Sequence, residues 1–358
     1  MLNAQTTQQV HRRHHVKKDG RDLFLYSHAP HTLAPTNDLD PVAKPEPHMR
    51  WHPLRREWVA YATNRQNRTY KPPPEYCPLC PVKPGAYPGE IPFETFDVAV
   101  FENRFPSFHL DAATAPALPI ETKPGVGRCE VVIYSPDHVG SLATIAQDRR
   151  ELLIHAWADR LTDLLGRPEI DYVLPFENRG EAVGATLHHP HGQIYALGFR
   201  PPIIETQAAS FRDGPVLDQL RDQIGDRYDV VTGSTMAAFV PPFARFPFEI
   251  WVAPFAHHAG PWSLSSAEIT DLAAVLGEVV ATYDALFDQP MPYFMHLMAA
   301  PKGEEETFQF HFQFLPLQRS ADKLKYLAAM EQGTGVFLAD VAPEEMVDRL
   351  RDARPGRR

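Results

Sequence analysis

Residues 185–197 carry a pattern suited to phosphate chemistry, reading ATLHHPHGQIYAL. In a β-strand, alternate side chains point to one side, which would place His189, His191 and Gln193 on one face. A neutral imidazole at His191 could attack phosphorus covalently, while Gln193 donates a hydrogen bond to a phosphoryl oxygen as charge builds. Gly192 is expected to let an anionic ligand approach the backbone. The alternatives for these histidines are a metal cluster or a hydrogen-bonded core.

A second chemically active group is the sequence CPLC at positions 77–80. Two thiolates on one tight turn can bind one ion. A redox pair would need a strand-to-helix setting, which the surrounding prolines disfavour. His138 and His189, on or beside predicted strands, are the candidates for two further ligands. With Cys77 and Cys80 they would form a closed zinc site with a structural role. Reduced thiols without a metal are the alternative.

The composition excludes several classes of function. The chain has 358 residues, with 35 Lys and Arg against 45 Asp and Glu, and a formal net charge of −10. This charge disfavours a nucleic-acid partner. Apolar residues make up 44% of the chain, so a sizeable core can form. No segment has the length and apolarity of a membrane span or a signal peptide. Three cysteines are too few for a disulfide scaffold, so we expect a cytoplasmic protein without a membrane partner.

The elements that must hold these residues occur twice along the chain. A strand-like run, a turn with proline and histidine, a helix and two further strands follow one another, and the same order then returns. His138 and His191 are 53 residues apart, and so are His258 and His311. Equal order and spacing favour an ancestral duplication over chance similarity. We therefore predict an α+β fold of two halves, each with an antiparallel sheet and a packed helix, fused into one body.

Each of the two predicted helices has a start signal and one apolar stripe. Capping boxes are predicted at Thr144 with Gln147 and at Ser265 with Glu268. The stripes consist of Leu153, Trp157, Leu161 and Leu164 in the first helix and of Ile269, Leu272, Leu276, Val279 and Tyr283 in the second. Each helix is therefore expected to bury one face.

The domain organisation follows from these patterns. Residues 1–45, which are basic and rich in His and Pro, are expected to form a flexible arm. Residues 46–200 would form the half with the zinc site and HPHGQ, and residues 201–340 the second half. Residues 341–358 would form a C-terminal helix and tail.

The sequence HPHGQ follows PFENRGEAVGATLH, with CPLC far upstream, SPDH between them and a second half of the same build. This combination resembles the galactose-1-phosphate uridylyltransferase family of the histidine-triad superfamily, over about residues 50–335. The resemblance implies two histidine-triad-like halves, usually in a homodimer with active sites at the subunit boundary. It also implies a ping-pong exchange. The central histidine takes uridylyl from UDP-glucose, releases glucose 1-phosphate and passes uridylyl to galactose 1-phosphate.

Carried onto this chain, the resemblance implies His191 as the nucleophile, Gln193 as the phosphoryl-stabilising amide and zinc at the Cys2His2 set. It places further residues beside the nucleotide or phosphate, namely Arg65, Arg68, Asn103, Asn178, Gly184 and Thr186. The sequence RSADKLKYLAAME resembles a late loop that meets the partner's site, with Lys325, Tyr326 and Glu331 as candidates. For the arginines, a solvated surface position is the alternative.

The C-terminal half departs from the family pattern. Some family members bind a second metal there through one Glu and three His. Here only His311 has such a position, and Gln207, Met298 and Gln313 occupy the others, so we expect no second metal. The segment around His311 is interpreted as a decayed copy of the catalytic strand. Two other functions stay open: a nucleoside-diphosphate-sugar or dinucleoside-polyphosphate phosphorylase using the same histidine, and a non-enzymatic zinc-stabilised nucleotide-binding protein.

Overall fold

The computed structural model describes residues 9–36, 39–41, 46–67, 71–83 and 88–356. The strands are β1 (His11–Val16), β2 (Asp22–Ser27), β3 (His48–His52), β4 (Glu57–Tyr61), β5 (Val98–Glu102), β6 (Thr122–Pro124), β7 (Gly127–Ile133), β8 (Tyr172–Arg179), β9 (His191–Leu197), β10 (Asp229–Thr232), β11 (Met236–Phe239), β12 (Ile250–Pro254), β13 (Tyr293–Met298), β14 (His311–Pro316), β15 (Gln318–Ser320) and β16 (Lys323–Leu324). The α-helices are α1 (Gln147–Leu165), α2 (Pro202–Arg212), α3 (Val216–Ile224), α4 (Ser266–Leu286), α5 (Ala329–Thr334) and α6 (Pro343–Ala353).

Eleven of the strands form one sheet in the order β1-β2-β5-β7-β9-β8-β13-β14-β12-β11-β10. Its paired strands run antiparallel, and β8 pairs with β13 where the two halves meet. The predicted α+β fold with antiparallel sheets and packed helices is therefore confirmed. A three-stranded sheet of β4, β3 and β6 lies beside it, and β15 pairs with β16.

The same strand pairing recurs in the two halves. In the first, Val131 of β7 lies opposite Gln193 of β9, and in the second, Trp251 of β12 lies opposite Gln313 of β14. Each partner in the second half stands 120 residues after its counterpart. The two histidine-bearing strands thus occupy equivalent positions on either side of the β8–β13 seam.

The long helices α1 and α4 contact one another and bury the apolar stripes predicted for them. The capping box at Ser265 and Glu268 is confirmed, because each side chain accepts a hydrogen bond from the other residue's backbone N–H. The capping box at Thr144 is wrong. The Thr144 hydroxyl instead accepts from the N–H of Ser141 at 2.9 Å, and α1 begins after Ala146 without a side-chain cap.

The expectation of a flexible arm over residues 1–45 is wrong for residues 11–27. These form the β1–β2 hairpin, and β2 pairs with β5 in the large sheet. Leu23 and Leu25 are fully buried there, and Asp22 pairs with Arg128 at 2.7 Å. Burial of the short apolar run DLFLYS stabilises this edge of the sheet. Residues 1–8, 37–38 and 42–45 of the predicted arm lie outside the described residues.

Across the described part of the chain, none of the helices combines the length and the apolarity needed to cross a lipid bilayer.

Candidate active site

A cavity of about 580 Å³ opens above the middle of the first half of the sheet. Strand β9 forms its floor, and alternation along the strand turns His191, Gln193 and Tyr195 toward the cavity. The predicted common face for His191 and Gln193 is therefore present. His189 precedes β9, and its buried imidazole contacts the two cysteines instead.

Strand register arranges the floor in rows. Phe176 of β8 and Val131 of β7 both lie opposite Gln193, and together they form the middle row. His191 lies two residues to one side of that row and Tyr195 two residues to the other. Because a strand rises about 3.3 Å per residue, His191 and Tyr195 are about 13 Å apart. The floor can therefore hold a ligand that extends well beyond the phosphate next to His191.

Most of the residues predicted to contact nucleotide or phosphate meet in this one cavity. Its lining includes Arg65, Asn103, Asn178, Gly184, Thr186, His191 and Gln193. Arg68 lies outside the described residues. The three late-loop candidates do not line the cavity of their own chain: Lys325 and Glu331 are buried in an ion pair at 3.2 Å, and Tyr326 is exposed.

The tautomer of His191 follows from its hydrogen bond. Its Nδ1 lies 2.7 Å from the carbonyl oxygen of His189, and a carbonyl only accepts, so Nδ1 carries the proton. The lone pair is then on Nε2. Burial lowers the pKa of His191 below its ordinary value, which keeps the ring neutral at pH 7. This geometry leaves Nε2 free to act as a nucleophile.

Sequence reasoning missed several polar residues of the cavity, among them Tyr195 and Arg104. Tyr195 accepts a hydrogen bond at 2.9 Å from Arg65, which fixes that guanidinium at the end of the floor away from His191. Side chains alternate along a strand with a period of two residues, and the same alternation that placed His191 and Gln193 on one face could also have identified Tyr195. Arg104 lines the cavity beside Asn103 and donates to the Asp40 carbonyl at 3.0 Å.

The expected role of Gly192 is wrong. Strand alternation turns this residue away from the cavity, toward the helices. A Cβ at Gly192 would lie 2.4 Å from the Tyr134 hydroxyl and 2.9 Å from the Phe176 carbonyl oxygen. Glycine is required here because Tyr134, which is completely buried, packs against β9 on the side away from the cavity.

Glu177 is buried on the same side of the sheet, in β8. Its carboxylate accepts a hydrogen bond from the Tyr293 hydroxyl at 3.2 Å across the β8–β13 seam. Burial raises the pKa of Glu177 from 4.5 to about 7. The charged form of this carboxyl therefore destabilises the folded protein at neutral pH.

We expect Glu177→Gln to raise stability relative to the wild type more at pH 8 than at pH 5. The folded state binds the Glu177 proton more tightly than the unfolded state, so the wild type loses stability as the pH rises from 4.5 to about 7. The wild type's free energy of unfolding falls by about 3 kcal/mol at most over this range. Glutamine does not ionise, so the variant's free energy of unfolding lacks this dependence on pH. Urea unfolding at both pH values measures the difference, and an equal effect at pH 5 and pH 8 would contradict the expectation.

The four predicted metal ligands meet beside the cavity. The donor atoms of Cys77, Cys80, His138 and His189 all lie within 4.8 Å of one another. Cys80 Sγ is 3.4 Å from His138 Nδ1 and 3.5 Å from His189 Nδ1. An ion held tetrahedrally at zinc–sulfur and zinc–nitrogen distances separates its ligands by roughly 3.4–3.8 Å, so the set fits a metal ion.

Hydrogen bonds prepare this cluster for a cation. His189 Nε2 donates to the Ser135 carbonyl at 2.7 Å, which leaves the Nδ1 lone pair facing the thiols. A hydrogen bond from the Cys80 thiol lowers the pKa of Cys77, which favours the thiolate form that binds a metal ion. His189 also joins the two sites, because its ring belongs to the cluster and its carbonyl orients His191.

Comparison with known proteins assigns most of the chain to one enzyme family. The N-terminal and C-terminal domain models of galactose-1-phosphate uridyl transferase match residues 37–201 and 215–351. The chain belongs to the galactose-1-phosphate uridylyltransferase family. The family enzyme of Thermotoga maritima is 38% identical over 317 residues, covering 85% of this chain and 98% of that protein. The Streptomyces lividans enzyme is 32% identical over 356 residues, covering 93% and 95%.

Solved structures agree with this family assignment. A structure described as uridylyltransferase superposes with a TM-score of 0.75 at 26% identity, covering 86% of this chain and 98% of that one. An ADP-glucose phosphorylase from Arabidopsis thaliana, with bound ADP-glucose, superposes with a TM-score of 0.65 at 22% identity, covering 86% and 98%. The second likeness shows that the two proteins share a fold.

Proposed function

We propose that this protein transfers uridylyl between UDP-glucose and galactose 1-phosphate through a covalent uridylyl-His191 intermediate. The observation that carries the proposal is the free Nε2 of His191, held by the 2.7 Å hydrogen bond from Nδ1 to the His189 carbonyl and facing a long cavity. The names of the relatives support galactose 1-phosphate as a substrate and uridylyl as the group that is transferred. The reaction places the protein in galactose metabolism.

In the first half-reaction, Nε2 attacks the α-phosphorus of UDP-glucose, and the bond from that phosphorus to the oxygen of glucose 1-phosphate breaks. In the second, a phosphate oxygen of galactose 1-phosphate attacks the same phosphorus, and the nitrogen–phosphorus bond breaks. The proton stays on Nδ1 throughout. The His189 carbonyl stabilises the positive charge that the ring gains in the intermediate. Gln193 donates to the phosphoryl oxygens in both steps.

We assign the remaining residues to the same reaction. Arg65, Arg68, Asn103, Asn178, Gly184 and Thr186 would bind the nucleotide or its phosphates. In a homodimer, Lys325, Tyr326 and Glu331 would serve the sugar site of the partner. The protein would act in the cytoplasm, with residues 46–200 and 201–340 as its two histidine-triad-like halves.

We further propose that Cys77, Cys80, His138 and His189 hold zinc. The mixed thiolate and imidazole donor set suits zinc, and four protein ligands close the site, so the ion would have a structural role. Pro78 and Leu79, between the two cysteines, line the active-site cavity. Bound zinc would thus fix one cavity wall and the backbone that orients His191.

We expect Cys77→Ser to lose metal and thermal stability together, because binding energy at a structural site is folding energy. The melting temperature should fall by at least about 5 °C. Elemental analysis and calorimetry of the purified variant measure both quantities. Cys129→Ala, at a buried thiol on β7 outside the cluster, is the control and should keep its metal. A Cys77→Ser protein with full metal content and an unchanged melting temperature would rule out the assignment.

The function itself is tested by separating the two half-reactions. The protein is incubated with UDP-glucose labelled at the α-phosphate, then freed of small molecules and exposed to one acceptor. We expect label to remain on the protein and galactose 1-phosphate to remove it as UDP-galactose. Discharge by inorganic phosphate but not by galactose 1-phosphate would identify a phosphorylase instead. If the protein never retains label, the covalent mechanism is wrong, and a non-enzymatic nucleotide-binding protein is the remaining alternative.

A further inference from the structure

A second cavity lies over the C-terminal copy of the catalytic strand. Its volume is about 390 Å³, within the usual range for small-molecule sites. Helices α2 and α3 wall it on one side, and strands β12 and β14 form its floor. His311 and Gln313, which stand 120 residues after His191 and Gln193, both line it.

The two copies share one hydrogen bond and differ in another. His311 Nδ1 donates to the Gln309 carbonyl at 3.0 Å, as His191 does to the carbonyl two residues before it. The Nε2 lone pair of His311, however, accepts from the Gln313 amide at 3.1 Å. This ring has no free nitrogen for attack on phosphorus or for a metal. The second cavity is therefore suited to binding and not to group transfer.

The two cavities differ in the charged residues that line them. The first is lined by Arg65, Arg104 and Glu90, whereas no Lys, Arg, Asp or Glu of the described residues lines the second. Burial lowers the pKa of His311 to about 4, so this ring is also neutral at pH 7. A phosphate or a carboxylate would lose its hydration here without gaining an opposite charge. The second cavity therefore favours an uncharged ligand.

Aromatic rings and amides define the shape of that ligand. Phe243 and Trp251 meet edge to face, with their ring centroids 5.5 Å apart. The Trp251 indole N–H already donates to Glu249 at 2.8 Å, so this residue can offer a ligand only its ring. Side-chain amides of Gln207 and Gln223, also in the lining, can each donate and accept hydrogen bonds. A flat ring with both donors and acceptors on its edge complements these walls.

We propose that the cavity between α2, α3 and the β12–β14 floor is a second binding site, which takes an uncharged nucleoside. The base would pack against Trp251 and Phe243, with its edge toward the glutamine amides.

The test is calorimetric titration of the full-length protein with uridine and with adenosine. Saturating UDP is present to occupy the first cavity, and a parallel series omits it so that the result does not depend on the proposed function. We expect at least one nucleoside to bind with a Kd below about 1 mM, and its 5′-monophosphate to bind this site at least about tenfold more weakly. Phe243→Ala should weaken nucleoside binding about tenfold. Phe255→Ala, which removes a similarly exposed ring outside the cavity, should not.

A second pair of variants tests the site from the helix side. Ser210 lines the cavity mouth and Thr206 lies one turn earlier on α2, and both hydroxyls donate to the carbonyl four residues before them. Ser210→Arg should reduce nucleoside binding and Thr206→Arg should not. The proposal is wrong if neither nucleoside binds or if Phe243→Ala binds as tightly as the wild type. A Phe243→Ala variant that shifts the oligomeric state in sedimentation would instead show that a second chain covers this face, and would also overturn the proposal.

Discussion

His191→Gly is expected to lose uridylyl exchange by about 10⁴-fold or more while keeping its fold, its metal and its nucleotide binding. In the proposed mechanism the variant removes the nitrogen that bonds to phosphorus, and no other described residue of the cavity offers a free imidazole. His191 stands at the start of β9, outside the metal cluster and outside the apolar core clusters. The expected loss is therefore in catalysis. Initial rates of exchange, thermal unfolding, elemental analysis and UDP titration measure these four properties.

The space left by His191→Gly allows a chemical rescue. Uridine 5′-phosphoimidazolide carries the missing imidazole already bonded to phosphorus, so it should restore the second half-reaction with galactose 1-phosphate. The matched control is His188→Gly, since that side chain is exposed and lies outside the cavity. Two results would count against His191 as the nucleophile: exchange by His191→Gly without an additive, or wild-type rate patterns that intersect where double displacement requires parallel lines.

The sequence predicted the residues whose positions depend on local rules. Strand period placed His191 and Gln193 on one face, and Cys-x-x-Cys with two histidines beside strands supplied all four residues of the cluster that could hold a metal ion. The apolar period of 3.6 identified the buried stripes of α1 and α4. These features need no information about which strands become neighbours.

Features that depend on distant contacts could not be predicted in this way. Strand β1 reads HRRHHV, which resembles a solvated tail, yet the Arg12 guanidinium covers the ring of Phe24 at 4.5 Å and the His14 ring stacks on it at 4.8 Å. A strand of long polar side chains at a sheet edge lacks the alternation of apolar and polar residues from which strands are predicted. Likewise, alternation could have shown that Gly192 faces away from His191 and Gln193, but the Tyr134 hydroxyl that requires glycine there lies 58 residues earlier.

Gln193→Ala should slow both half-reactions by about 100-fold or more, which is the usual effect of removing one preorganised donor to a developing charge. The amide faces the cavity two residues after His191 on a strand that is paired on both sides, so we expect its position to cost little reorganisation during the reaction. A neutral donor also adds no general base, so water is not activated and the covalent intermediate can await the sugar phosphate. Single-turnover labelling by UDP-glucose and discharge by galactose 1-phosphate give the two rates separately.

The C-terminal half supplies a matched control for this variant. Gln313 occupies the equivalent register position on β14, opposite Trp251 as Gln193 is opposite Val131, but it lines the other cavity. Gln313→Ala should therefore leave labelling and discharge at wild-type rates. If the two alanine variants slow the reaction equally, the effect comes from the sheet and not from a donor. If Gln193→Ala keeps wild-type rates, the amide only packs in the floor of the cavity. The phosphoryl charge must then be stabilised by other residues of the lining, such as Arg65 and Arg104.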